Sequence, residues 1–274
     1  MLDARSVLRG SNRRLSTDFG QLKLTTADAD VKWRAFGRFV AIDGNTIVVG
    51  ASYDSHSNDV ELGSVYVFRT SDGGATYVEV AKLTASDGAA EHYFGTSVAI
   101  DGNTVVIGAS GDDGASFSEG SAYVFRTSDG GATYVEVAKL TAADAAAAVD
   151  FGSSVAIDGD TVVVGTSRDW IYIFRTTDGG AAYGQVAKLD YEYTGASVDG
   201  FVAIAGGTVV AGAPNGEAAY VFTSDGGATY AQVAKLTASD AAEDDRFGWS
   251  VAIYGDTIVI GADQDANSGP GAVY

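Results

Sequence analysis

Carboxylates are the commonest groups in this chain that could do chemistry. Asp263-Gln264-Asp265-Ala266-Asn267 sets oxygen donors at alternate positions, as the start of a calcium loop does. Asp263, Asp265 and Asn267 are therefore the candidate metal ligands, and calcium is the one cofactor the sequence admits. The glycine and distal glutamate of an EF-hand loop are absent. Further acids gather between apolar runs: Asp54, Asp59 and Glu61; Asp112, Asp113 and Glu119; Glu243, Asp244 and Asp245. Asp87, Glu91, Asp144 and Asp150 join them. Together they read either as an acidic face for a protein partner or as a solvated rim. His56 and His92 lie in different loops with no cysteine or third histidine, so no zinc site is expected. No Ser-His-Asp, phosphate-loop or dinucleotide pattern occurs. The expectation is a protein without catalytic residues.

The totals narrow the classes of partner. The formal net charge of −19 disfavours nucleic acid, whose phosphates require Lys and Arg, and favours a basic partner. No run approaches 18 apolar residues, so direct membrane insertion is not expected. Residues 1–20 carry Arg5, Arg9, Arg13 and Arg14 without an apolar stretch, which does not read as a secretory signal. There is no cysteine, so disulfides contribute nothing.

The elements that carry these loops are repeated. Phe94 to Ser110 comprises two Val/Ile runs around Asp101-Gly102-Asn103, a hairpin turn signal. Copies start at 36, 94, 151, 198 and 247, the fourth being worn. A second hairpin follows each variable loop, with Tyr-Val-Phe-Arg leading into RTSDGGATYVEVAKLT. That stretch is identical at Arg69–Thr84 and Arg126–Thr141. Four strands in spacings of 47 to 58 residues predict a propeller blade. Strand four alternates like an outermost strand, and its recurring Lys82, Lys139, Lys188 and Lys235 are expected to solvate that edge. The fifth copy lacks strand four, while Gln21–Thr25 resembles Val80–Thr84 and is expected to supply it. Ser6–Arg9 also aligns with strand three, so the two termini either compete for that strand or share it.

The Phe-Gly openings and Gly-Ala-Ser endings resemble the FG-GAP repeat, in the form lacking the integrin-type calcium loop. The resemblance runs from about Gln21 onward and implies a β-propeller and, by analogy, an adhesive binding module on a cell surface or in a secretory or organelle lumen. In integrin-α propellers the calcium loop joins strands one and two. Here that place holds only Asp-Gly-Asn or Asp-Gly-Asp, too short to wrap the ion. The second hairpin, Thr70-x-Asp72-x-Gly74-x-Thr76-Tyr77 and its copies, looks like the Asp-box of sialidase-like propellers, a turn motif rather than a catalytic one. Sialidase-type chemistry would need a converging Arg cluster. Arg69, Arg126 and Arg175 are instead locked to one repeat position.

The combined expectation is an all-β, five-bladed propeller of four-stranded antiparallel blades in one domain over residues 1–274. Its blades fall at about 36–84, 94–141, 151–189, 198–237 and 247–274, the last completed by 21–25. The expected role is protein binding. Head-to-tail assembly as a structural subunit is the alternative, and a sialidase-like glycosidase is a weaker third.

Overall fold

The structure is a computed structural model. It describes residues 21–26, 35–56, 60–88, 92–111, 119–144, 150–167, 170–190, 201–226, 229–240, 245–263 and 271–274. It is an all-β, five-bladed propeller. Blade 1 holds β1 (Val40–Asp43) and β2 (Thr46–Ala51), then a short ribbon of β3 (Ser55–His56) and β4 (Val60–Glu61), then β5 (Ser64–Arg69) and β6 (Val78–Leu83). Blade 2 comprises β7 (Ser97–Asp101), β8 (Thr104–Ala109), β9 (Ser121–Arg126) and β10 (Val135–Leu140). Blade 3 comprises β11 (Ser154–Asp158), β12 (Thr161–Gly165), β13 (Trp170–Arg175) and β14 (Gly184–Asp190). Blade 4 comprises β15 (Val202–Ala205), β16 (Thr208–Ala213), β17 (Ala218–Ser224) and β18 (Tyr230–Leu236). Blade 5 has β19 (Phe247–Tyr254), β20 (Thr257–Ala262) and the two-residue β21 (Ala272–Val273).

Within each blade the strands pair antiparallel in chain order, and the first strands of the blades neighbour one another in sequence around a central channel. The second strands are unbroken Val/Ile runs because both of their faces are covered, and Val105, Val106 and Ile107 have no exposure. Strands one and two join through two-residue turns whose first central residue is Gly44, Gly102, Gly159, Gly206 or Gly255, all at positive φ. Each complete blade also carries a bulge between strands three and four, absent from the sequence reading. The extra residue is Val80, Val137, Val186 or Val233, and the first three pack onto the next blade.

The repeated Phe-Gly pair is the clasp between blades. In Tyr93-Phe94-Gly95-Thr96 the Thr96 N–H donates to the Tyr93 carbonyl (3.1 Å) and Gly95 holds φ 96°. Phe94 is thereby buried between blades 1 and 2. Gly50 of blade 1 faces the Gly95 carbonyl so closely that a Cβ there would run into it. Gly108 and Gly212 stand in the same relation to Gly152 and Gly248. Apolar clusters of this kind join blades 1 to 2, 2 to 3, 3 to 4 and 4 to 5.

The fifth junction differs from the expectation. Gln21–Thr26 are not hydrogen-bonded as a strand, and the fifth sheet has three strands among the described residues. The physical reason is a short template, since β21 offers only two paired residues. Leu24 nevertheless packs against the outer face of blade 1, on the cluster of Val49, Ala51, Tyr66 and Phe68. That is the seat Leu83 takes against blade 2.

Candidate functional site

Three sets of polar contacts recur from blade to blade. The first is at the tight-turn face. The carboxylates of Asp43, Asp101 and Asp158 accept the N–H of Gly102, Gly159 and Gly206 in the following blade, at 2.7, 2.6 and 2.6 Å. Ala205 and Tyr254 occupy the same position in blades 4 and 5, so the series stops there. The second set uses the arginines. Arg126 donates to the Gly179 carbonyl of the next blade's hairpin, Arg175 donates to Gly226 (3.4 Å), and Arg69 lies against Gly131. The guanidinium groups thus reach sideways to neighbouring turns rather than converging on the channel.

The third set corrects the expectation for the lysines. Lys139 bonds Asp87 (2.7 Å) and lies 5.3 Å from the centre of the Tyr123 ring, while the Tyr123 hydroxyl donates to the same carboxylate (2.7 Å). Lys188, Asp144 and Tyr172 repeat the arrangement at 2.5 and 3.0 Å. In both, the Asp comes from the loop leading in from the preceding blade, so the lysine ties that loop to the outer edge instead of only solvating it. Burial works against the Asp87 anion, but Lys139 and Tyr123 hold its pKa below the usual value. Asp144 is lowered by Lys188 and Tyr172 against partial burial. The Tyr274 hydroxyl bonds Asp240 (2.7 Å) and is pushed up to about 12, chiefly by that hydrogen bond.

The hairpin turns are held by their own side chains. Asp72 accepts the Thr76 N–H (2.9 Å) and hydroxyl (2.6 Å), and the Thr70 hydroxyl accepts the Gly74 N–H (2.8 Å). Thr127, Asp129, Gly131 and Thr133 repeat this pattern. The threonine hydroxyls and N–H groups lower the pKa of both aspartates strongly.

The candidate face is built on the opposite side, from the loops between strands two and three and between strands four and one. Asp54 and Asp245 do not belong to an exposed acidic face there. Asp54 is fully buried, paired with Lys82 (3.0 Å) and bonded by the Tyr66 hydroxyl (2.8 Å); these partners outweigh the cost of burial and lower its pKa. Asp245 is 4% exposed, just before the Phe247 turn. Glu119 is half-buried, and its carbonyl accepts the Phe151 N–H (3.0 Å). Asp59, Asp112, Asp113, Glu243 and Asp244 lie outside the described residues. Of the calcium candidates, Asp263 is exposed, while Asp265 and Asn267 lie outside the described residues. Among the described residues no three His, Cys, Asp or Glu side chains gather around a point.

The face also carries side chains that sequence reasoning did not group. Ala35, Tyr93, Asp150 and Arg246, each before a Phe-Gly pair, hold positive φ. Tyr93 meets Tyr53 edge-on at 5.4 Å. Phe201 and Trp249 pack across blades 4 and 5 at 6.2 Å, with the Arg246 guanidinium 5.5 Å above the Trp249 ring. The one available signal was that these positions break an otherwise regular repeat. The channel itself has a volume of about 860 Å³. Its walls are mainly Val, Ala and Ile of the first strands, with Ala41, Ala99, Ala156, Ala203 and Ala252 at equivalent positions, and Asp43, Asp101, Asp158, Asp256 and Tyr254 line it at the tight-turn end.

The sequence matches the FG-GAP repeat family over residues 20–68, 77–125, 134–186 and 230–274. No curated protein matches it.

Proposed function

The chain belongs to the FG-GAP repeat family, and from that premise we propose that it is a non-catalytic protein-interaction module whose loop face takes a basic partner. The observation that carries this reading is the allocation of polar groups. The Asp, Arg and Lys side chains that recur with the repeat are spent on neighbouring blades, the channel is walled mainly by Val, Ala and Ile, and three of the aspartates that line its tight-turn end, Asp43, Asp101 and Asp158, bond the next blade's turn. What changes from blade to blade is the loop face, and loops on a rigid scaffold are where binding specificity is built. The net charge of −19 supports a basic partner, met outside the cell or in a lumen as for an adhesive propeller.

The test uses a lysine-rich peptide as probe and compares two full-length variants. One carries Asp112→Asn, Asp113→Asn, Glu243→Gln and Asp244→Asn in the loops. The other carries Asp160→Asn and Asp256→Asn on the tight-turn face. The loop variant is expected to lose most of the association rate at low salt, and the control little. Equal losses would sink the proposal. A second reading, head-to-tail assembly, is favoured by the outer edge of β21, along which no strand pairs among the described residues. Sizing the pure chain across a concentration series separates the two, since ordered oligomers fit only the second.

A further inference from the structure

The wall of the central channel is apolar surface that the fold leaves partly uncovered. Every first strand carries the same Ala-Ile pair, and in all five blades that pair is half-buried, whereas Val105, Val106 and Ile107 of a second strand have no exposure. The small alanine keeps the bore open. Its volume of about 860 Å³ falls within the roughly 300–1,000 Å³ of small-molecule pockets. The two ends of the bore differ. Phe201 and Ser250 line it toward the loop face and bring no charge. Asp43, Asp101, Asp158 and Asp256 line the tight-turn end, together with Tyr254, which is 61% exposed. Among the described residues no Lys, Arg or His lines the channel.

Three of these carboxylates are fixed in direction. One oxygen of Asp43, Asp101 and Asp158 accepts the N–H of Gly102, Gly159 and Gly206, at 2.7, 2.6 and 2.6 Å. A carboxylate accepts several hydrogen bonds, so this one orients the group without exhausting its charge or its acceptors. Negative charge at the end of an apolar bore acts more strongly than on open surface, because low-dielectric walls focus the field. A bare metal ion does not suit this end, since among the described residues no three acidic side chains gather around a point. A diffuse organic cation does suit it. Spaced carboxylates stabilise its charge, the Tyr254 ring adds an aromatic face for it, and its hydrocarbon covers the Ala-Ile wall. The geometry points to the channel as a binding site for an amphiphilic organic cation of the alkylammonium class. Its head lies among the four aspartates and its tail runs along the first strands. This inference does not rest on the loop-face reading, because the charged end of the bore opens on the opposite face.

The test titrates the full-length protein with decyltrimethylammonium below its micelle concentration, followed by calorimetry. Decyl maltoside and decanoate serve as probes with a similar tail and a neutral or anionic head. One saturable site per chain is expected for the cation, weaker binding for the maltoside and none for decanoate. Asp43→Asn/Asp101→Asn/Asp158→Asn retains an amide oxygen for each glycine N–H and removes three charges. It is expected to weaken the cation about tenfold, about twofold for each pair lost. Asp112→Asn/Asp113→Asn/Asp244→Asn removes the same charge from the loops and is expected to leave the affinity unchanged, although the lysine-rich peptide is slowed. Equal losses in the two variants would overturn the proposal, as would several equivalent sites per chain or equal binding of all three heads. Ala156→Leu, which narrows the bore, is expected to weaken the cation as well. Should a variant fail to fold, the unmodified protein decides: affinity is expected to rise from tetramethylammonium through the butyl and hexyl homologues to decyl. A flat series would show that the tail does not enter the bore and would refute the assignment.

Discussion

At Gly108 the chain has no freedom to carry a side chain. A Cβ there would run into the Gly152 carbonyl of the next blade, which is itself fixed by the Phe151-Gly152 turn. Gly108→Ala is therefore expected to cost about 3 kcal/mol, the upper end of overpacking penalties, read as a lower denaturant midpoint at constant slope. Gly184 is the contrast. Nothing lies within 4 Å of its would-be Cβ and its φ is ordinary, so Gly184→Ala is expected to be neutral or to stabilise by up to about 1 kcal/mol. Ala35 sits at φ 45°, where an L side chain crowds its own carbonyl. Ala35→Gly is expected to stabilise by roughly 0.5–1 kcal/mol, and a lowered midpoint would count against that assignment of strain. These positions also mark what was legible. Phe94 and Gly95 announced themselves by recurrence. The burial of Asp54 did not, because it depends on Lys82, 28 residues further on, whose partner no local pattern names. A subtler signal was present: Asp87, Asp144 and Asp240 each follow the strand-four lysine by five residues, although the loops they sit in vary. The partners of Asp87 and Asp144 stand on the following blade, so the constant spacing marks a fixed seat without naming who fills it.

At the scale of elements, the outer strands are tied to their incoming loops by ionised aspartates. The pKa values of Asp54, Asp87 and Asp144 lie below the ordinary 3.8 in the fold. Their contribution is thus complete above about pH 4 and is lost as pH falls through the lowered values. Tyr172 and Tyr274 are shifted upward, so their contribution is complete below about pH 10 and is lost as pH rises through the folded values. Melting temperature measured from pH 7 to pH 2 is expected to fall steeply below 4, and less steeply in Asp87→Asn/Asp144→Asn, whose starting stability is already lower. Parallel curves would show that these pairs do not govern acid unfolding. The strands themselves were readable from Val/Ile runs and turn glycines. The bulge at Val80 and its copies was not, because an extra residue in one strand shows only against its partner.

The whole molecule is a ring in which four blade-to-blade junctions resemble one another, while on the remaining side of blade 1 Leu24 and Phe36 pack against the cluster of Val49, Ala51, Tyr66 and Phe68. Leu24→Ala is expected to cost about 1–2 kcal/mol, below the usual range for a fully buried leucine because Leu24 is only partly covered. Since the blades share faces, the loss should appear as a single shifted transition; a separate early phase would mean that blade 5 unfolds alone. A net charge of −19 also repels itself across the ring. Raising salt from about 0.02 to 0.5 M, which shortens the screening length to a few ångströms, is expected to raise the melting temperature. The near-identical junctions carry a further consequence for how the chain finds its form. Phe94-Gly95, Phe151-Gly152 and Phe247-Gly248 are interchangeable plugs for the sockets at Gly50, Gly108 and Gly212, so no socket can tell its rightful neighbour from one a blade further on. Ala205 and Tyr254 break that degeneracy, because neither can receive a glycine N–H as Asp43, Asp101 and Asp158 do. A ring assembled out of order would set Ala205 or Tyr254 before Gly102 or Gly159, and that exposed N–H would exchange its carboxylate for water. The two irregular residues therefore serve as a postmark, recording where in the circle the count of blades must end and begin again.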